Sequence, residues 1–113
     1  MKVRRGDIHW IEFPGSSTRE QAGRRPAIIA QADSVPPLPT VFVVPLTSNP
    51  QATRLPGTFE INPSPANGLH ARSIVLAFQL RAIDRMRVGD RLGSLDSPDI
   101  QRLDDQLRFL LSL

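Results

Sequence analysis

Ser97-Pro98-Asp99-Ile100-Gln101-Arg102-Leu103-Asp104-Asp105-Gln106-Leu107-Arg108-Phe109-Leu110-Leu111 is the clearest helix in the chain, and its place after a series of apolar strands decides the fold. Ser97 is read as the cap, and Pro98 as the first helical residue, where a missing N–H costs nothing. Asp99 complements the positive end of the helix dipole. Ile100, Leu103, Leu107, Leu110 and Leu111 recur at helical spacing on one face. Burying each is worth roughly 1.5–3 kcal/mol, so the stripe must pack on a sheet or on a partner. Asp104 and Arg108 form an i,i+4 pair on the other side, a minor contribution.

Upstream, short apolar runs alternate with turn residues. Asp7 to Phe13 sets Ile8 and Trp10 against His9, Ile11 and Phe13, a strand with both faces partly covered. Pro14 to Arg24 is a polar loop, long for a hairpin and therefore a candidate functional loop. Strands rich in Ile and Val follow at Pro26–Gln31 and Thr40–Leu46, joined through the stiff connector Pro36-Pro37-Leu38-Pro39. Asn49 to Gly57 is a loop, Thr58–Ile61 a short strand, and Pro63 to Gly68 a turn cluster. Ser73–Gln79 is the next strand. Ile83 to Val88 forms one helical turn, and Arg91–Leu95 a last strand. Strands closed by one amphipathic helix imply a mainly β protein, a small barrel-like antiparallel sheet with a C-terminal helix. No repeat or linker interrupts it, so residues 1–113 are read as a single domain.

At 113 residues the chain can bury one modest core but not two. The formal charge is only +3, yet of the 14 cationic residues all but Lys2 are arginine. Arginine makes bidentate contacts with phosphate and carboxylate that lysine cannot reproduce, so an anionic partner is favoured. With no cysteine, disulfides, a thiol nucleophile and cysteine-ligated metals are excluded from this sequence. No His/Asp/Glu grouping has metal-site spacing, which argues against a metallonuclease. No apolar run approaches the ~20 residues that span a bilayer, and no secretory leader is read, so a cytoplasmic protein without a membrane partner is expected.

Gly23-Arg24-Arg25-Pro26 sits between the polar loop and the run Ala27-Ile28-Ile29-Ala30. Two guanidiniums at the mouth of a strand make an anion site, and Pro26 biases Arg25 toward an extended backbone. Arg5-Gly6-Asp7-Ile8-His9-Trp10, Pro45-Leu46-Thr47-Ser48 and Gln79-Leu80-Arg81-Ala82-Ile83-Asp84 accompany it. This ordered set resembles the MazF/PemK (Kid) family of toxins from bacterial type II toxin–antitoxin systems, from about Arg4 to Leu113.

The resemblance implies an SH3-like small β-barrel, the fold shared by MazF and CcdB toxins. It also implies metal-independent, sequence-selective cleavage of single-stranded RNA by a homodimer without a cofactor. A cognate antitoxin would restrain it with an acidic, partly disordered segment. The family's catalytic arginine falls on Arg25, which would clamp the charge growing on phosphorus. A structural alternative pairs Arg25 with Glu20 or Asp7. Thr47 occupies the second catalytic position, although a Thr ending a strand also commonly caps a turn. Arg19, Gln21, Arg24, Ser48, Gln79 and Arg81 are the RNA-binding candidates. Arg54 and Arg72 could follow the backbone, and Phe59 or Phe78 could stack on a base.

Two departures from the family pattern stand out. The first loop reads Thr18-Arg19-Glu20-Gln21-Ala22-Gly23, with Arg19 where relatives keep a small hydroxyl or imidazole residue. Phe78 stands where relatives often keep a carboxylate that serves as general base, which leaves Glu20 as the candidate for that role. His9 and His70 together suggest an acid/base pair. His9, in a strand beside Trp10, reads instead as packed, and the pair is not carried into the site. Two alternatives remain. A CcdB-type gyrase poison depends on a terminal Trp-Gly-Ile, whereas this sequence reads Leu111-Ser112-Leu113. A catalytically weak barrel that only binds RNA or peptide is kept open by Phe78.

Overall fold

A computed structural model describes residues 2–15 and 23–113. Its strands are β1 (Asp7–Phe13), β2 (Gly23–Ile29), β3 (Thr40–Thr47), β4 (Thr58–Ile61), β5 (Ser73–Leu76), β6 (Arg81–Asp84) and β7 (Val88–Ser94), followed by the helix α1 (Ser97–Leu111). All strand pairings are antiparallel, in the order β4-β5-β3-β2-β1-β7. The long strand β3 serves two neighbours on one edge. Thr40–Val43 pairs with β6, and Leu46–Thr47 pairs with β5.

Neighbouring side chains along a strand point to opposite faces. Ile28 and Val44 therefore enter one apolar cluster, with Ile8, Leu46, Val75 and Leu103, while Ile29 and Val43 enter another, with Ile11, Phe13, Val41 and Ile83. The expectation of a first strand covered on both faces holds, since six of its seven residues are at least half-buried and only Glu12 is exposed. Helix α1 covers the first cluster through Leu103, flanked by Ile100, Leu107 and Leu110.

Several local expectations are corrected. Asp96, not Ser97, caps α1, its Oδ1 accepting the Asp99 N–H at 2.9 Å, so that Ser97 and Pro98 both fall inside the first turn. Leu111 is 53% exposed and lies off the buried stripe. Asp104 does not pair with Arg108. It accepts from Arg5 at 2.7 Å, and Arg108 lies 3.5 Å from Asp105 instead. The strand expected to run to Gln79 stops at Leu76 and tightens into a 3-10 turn, Ala77–Gln79. The helical turn near Val88 is shorter than expected, Arg85–Arg87, because Ile83 belongs to β6. In both places pairing with β3 overrides the local apolar pattern.

The ladder is not continuous around the sheet, because β4 and β7 stand at the two ends of the strand order. The segment between β4 and β5 bridges them. Ser94 N–H donates to the Ala66 carbonyl at 2.9 Å. Buried Asn67 staples the segment to itself. Its Oδ1 accepts from the Ser64 and Leu69 N–H groups, both at 3.0 Å, and its Nδ2 donates to the Asn62 carbonyl at 2.9 Å. Gly93 has no room for a side chain, since a Cβ there would run into the Ala66 carbonyl and the Asn67 backbone. Gly68, at φ +68, is pressed in the same way against the Leu92 carbonyl.

Candidate active site

The β2–β3 ladder has its last rung at Ala27 with Pro45. Beyond that rung stands Pro26, which has no N–H to donate. The two strands part there, and β3 turns to pair Leu46 and Thr47 with Val75 and Ile74 of β5. Continuing the lost register sets Arg25 against Thr47. The gap between them is a cleft of about 180 Å³ lined by Trp10, Arg25, Thr47, Ser48, His70 and Ser73, over an apolar floor that includes Leu46, Leu69 and Leu92.

Each wall has a local cause. Arg25 is exposed on the outer half of β2, opposite Ile11 of β1. Thr47 Oγ1 accepts the Asn49 N–H at 3.2 Å, so the turn-capping role and a place in the cleft coincide in one hydroxyl. A hydroxyl oxygen held as acceptor still has its own hydrogen to donate. Asn49 in turn accepts the Gln51 N–H at 3.0 Å and starts the 3-10 turn Pro50–Arg54. Thr47 and Ser48 therefore stand on a doubly capped bend.

The other candidates divide. Arg24 lies beside the cleft, its guanidinium carbon 4.3 Å from the centroid of the Trp10 ring. Gln79 ends the turn after β5, and Arg81 lies 5.5 Å from the centroid of the Phe13 ring; neither lines the cleft. Arg19, Glu20 and Gln21 lie outside the described residues. Asp7 is not the partner of Arg25 in this arrangement, for its nearest ion-pair contact is Arg91 at 3.4 Å. Arg72 is held by Glu60 at 2.7 Å. Phe59 is buried beneath Arg102 and offers no stacking face, whereas Phe78 is 39% exposed, away from the cleft.

The two histidines part company. His9 is 3% exposed, with Nδ1 at 2.9 Å from the Gly89 carbonyl, and is absent from the cleft walls. His70 is exposed and lines them. Sequence reasoning does not place His70, Ser73 and Trp10 in one cleft with Thr47, because the pairing of β5 with the outer end of β3 is not legible locally. Asn67-Gly68 was the local sign of a tight bend that would present the next residues.

A small, mainly antiparallel β-fold with one C-terminal helix, whose parted strands line a cleft with arginine, hydroxyl and imidazole side chains, is the class of protein that the fold and the cleft define. The chain belongs to the PemK-like, MazF-like toxins of type II toxin–antitoxin systems, whose family model matches residues 4–111. It is 32% identical over 114 aligned positions to the endoribonuclease EndoA of Bacillus subtilis (strain 168), covering 100% of this chain and 97% of that protein. Among solved structures it is similar to MazF (Form-I) of Deinococcus radiodurans, with a TM-score of 0.76 at 26% identity, covering 98% of this chain and 97% of the other. It also shares its fold with an endoribonuclease from a mycobacterial species solved with its cognate antitoxin, at a TM-score of 0.75 and 19% identity, covering 99% and 97%. Among the described residues no helix is long and apolar enough to cross a membrane.

Proposed function

We propose that this toxin is an endoribonuclease that cuts single-stranded RNA in the cytoplasm by making the 2′-hydroxyl attack the adjacent phosphate. The presence of Arg25 and Thr47 together in the cleft where the two strands part carries this reading. Attack forms the O2′–P bond and breaks P–O5′, leaving a 2′,3′-cyclic phosphate and a 5′-hydroxyl end. A guanidinium matches two phosphoryl oxygens at once, and the Thr47 hydroxyl donates to a third or holds the attacking group. The relative named as an endoribonuclease supports internal cleavage of RNA.

The working unit in this reading is a homodimer with RNA in a groove across both subunits, and no metal or cofactor takes part. An acidic, partly disordered antitoxin segment would cover Arg24 and Arg25 and compete with RNA. Opposite charge would make its association fast and salt-sensitive. Incubating the purified protein with long RNA in EDTA tests the activity: cyclic-phosphate and 5′-hydroxyl ends are expected, and intact RNA, or cleavage only with added divalent metal, contradicts the reading. Sedimentation at micromolar concentration checks the dimer against the 12.5 kDa chain mass.

A further inference from the structure

We infer that His70 is the general base of this cleft, a catalytic residue that takes the proton from the attacking 2′-hydroxyl. The inference rests on the nuclease reading above and names a group that reading leaves open. Among the described residues lining the cleft there is no carboxylate; the polar side chains are Arg25, Thr47, Ser48, His70, Ser73 and the Trp10 indole. Arginine stays protonated, indole donates only, and the hydroxyls of Ser and Thr do not hold a second proton near neutral pH. Imidazole, as a class, both accepts and returns a proton there. Phe78 supplies no base, and His9 is closed off in the interior.

The support beneath His70 gives the assignment its second leg. Leu69, the residue before it, is buried, and its N–H is held by Asn67 Oδ1 at 3.0 Å. Gly68 N–H donates to the Ser64 carbonyl at 3.1 Å. On the other side, Ser73 Oγ donates to the Ala71 carbonyl at 3.0 Å. His70 therefore stands on a braced bend in the wall of the cleft that Arg25 also lines. Arg25 is the one charged side chain lining the cleft with it among the described residues; Arg72, two positions on, is engaged by Glu60. In the step itself the neutral imidazole takes the 2′-proton while the oxygen's electron pair forms O2′–P. The P–O5′ pair leaves with the 5′-oxygen, which takes a proton from water.

The test compares wild type with His70→Ala, His70→Gln and Glu20→Gln in single-turnover cleavage of RNA, alongside binding of the same RNA carrying 2′-O-methyl groups. Both His70 variants should cut ~10²–10⁴-fold more slowly, as for loss of a positioned base, while binding the methylated RNA normally. Free imidazole should restore part of the rate to His70→Ala and none to His70→Gln. Loss of methylated-RNA binding without imidazole rescue would show that His70 only holds RNA, and would overturn the assignment. So would a His70→Ala that cuts at the wild-type rate while Glu20→Gln does not. Wild-type protein that cuts no RNA would instead overturn the nuclease reading, and the base assignment with it.

Discussion

Arg25 on β2 and Thr47 on β3 line one cleft, each two residues past the rung where Ala27 pairs with Pro45. Parting two strands is a simple way to make a cleft in a small sheet, because the ladders that flank it keep the backbone of both walls in place. Each residue should act in the transition state. Arg25→Ala and Thr47→Val should each lower the single-turnover rate by ~10²–10³, as for removal of a preorganised donor. Thr47→Ser, which keeps the hydroxyl and the turn to Asn49, should retain most of the activity. Circular dichroism of the exposed-site variant Arg25→Ala should match the wild type.

Arg5 ties the start of the fold to its end. Its Nη2 donates to Asp104 at 2.7 Å, its Nε to the Ala30 carbonyl at 2.9 Å, and its N–H to Asp33 at 2.8 Å. The Arg5 and Asp104 side chains are only 25% and 27% exposed, so this pair is worth more than a surface ion pair. Arg5→Ala should destabilise the protein by about 2 kcal/mol, and Asp104→Asn by about 1 kcal/mol because it keeps an acceptor. Urea titrations give both values. An Arg108→Ala variant should change little, since its contact with Asp105 is exposed.

The bridge between β4 and β7 leaves no room at Gly93. Gly93→Ala forces a Cβ into fixed backbone and should cost at least about 3 kcal/mol. Gly23→Ala is the control. At φ +77 with nothing within 4 Å, it meets backbone strain alone, about 1–2 kcal/mol. Thermal melts of the two variants should separate by several degrees, with Gly93→Ala the less stable.

Arg24 sits over Trp10 rather than among the cleft walls, so it should serve RNA affinity and not the chemical step. Arg24→Ala should weaken binding of 2′-O-methyl RNA, reduce the slope of log K against log salt by about 1, and leave the single-turnover rate at saturation unchanged. A rate loss at saturation equal to that of Arg25→Ala would contradict this division of labour.

Much of this fold was legible in the sequence where pattern and tertiary context agree. The first strand, Asp7–Phe13, and the short strand, Thr58–Ile61, were read with the bounds they have, and the helix was placed to within a residue. Misreadings fell where one strand meets two neighbours. The apolar run Ile74–Phe78 looks like one strand, yet it bends at Ala77 because β3 has another strand, β6, to pair with further along. The site shows the same division. Short motifs and the family resemblance single out Arg25 and Thr47, whereas His70 reaches the same cleft through strands that its own neighbourhood in the sequence does not report. No local periodicity reports a register between β3 and β5. Asp96 was missed as the helix cap for a smaller reason: a carboxylate one residue earlier competes with the serine, and it reaches the N–H of Asp99.

The segment that bridges β4 and β7 also carries His70, and that couples two evolutionary pressures. Most surface loops tolerate added or lost residues, because little depends on their length. Here, a single insertion between Asn62 and Gly68 would shift Ala66 away from Ser94 and displace His70 from the cleft wall in the same event. The length of this stretch is therefore constrained twice over. New RNA preferences would have to arise by exchanging side chains along it rather than by lengthening the bridge.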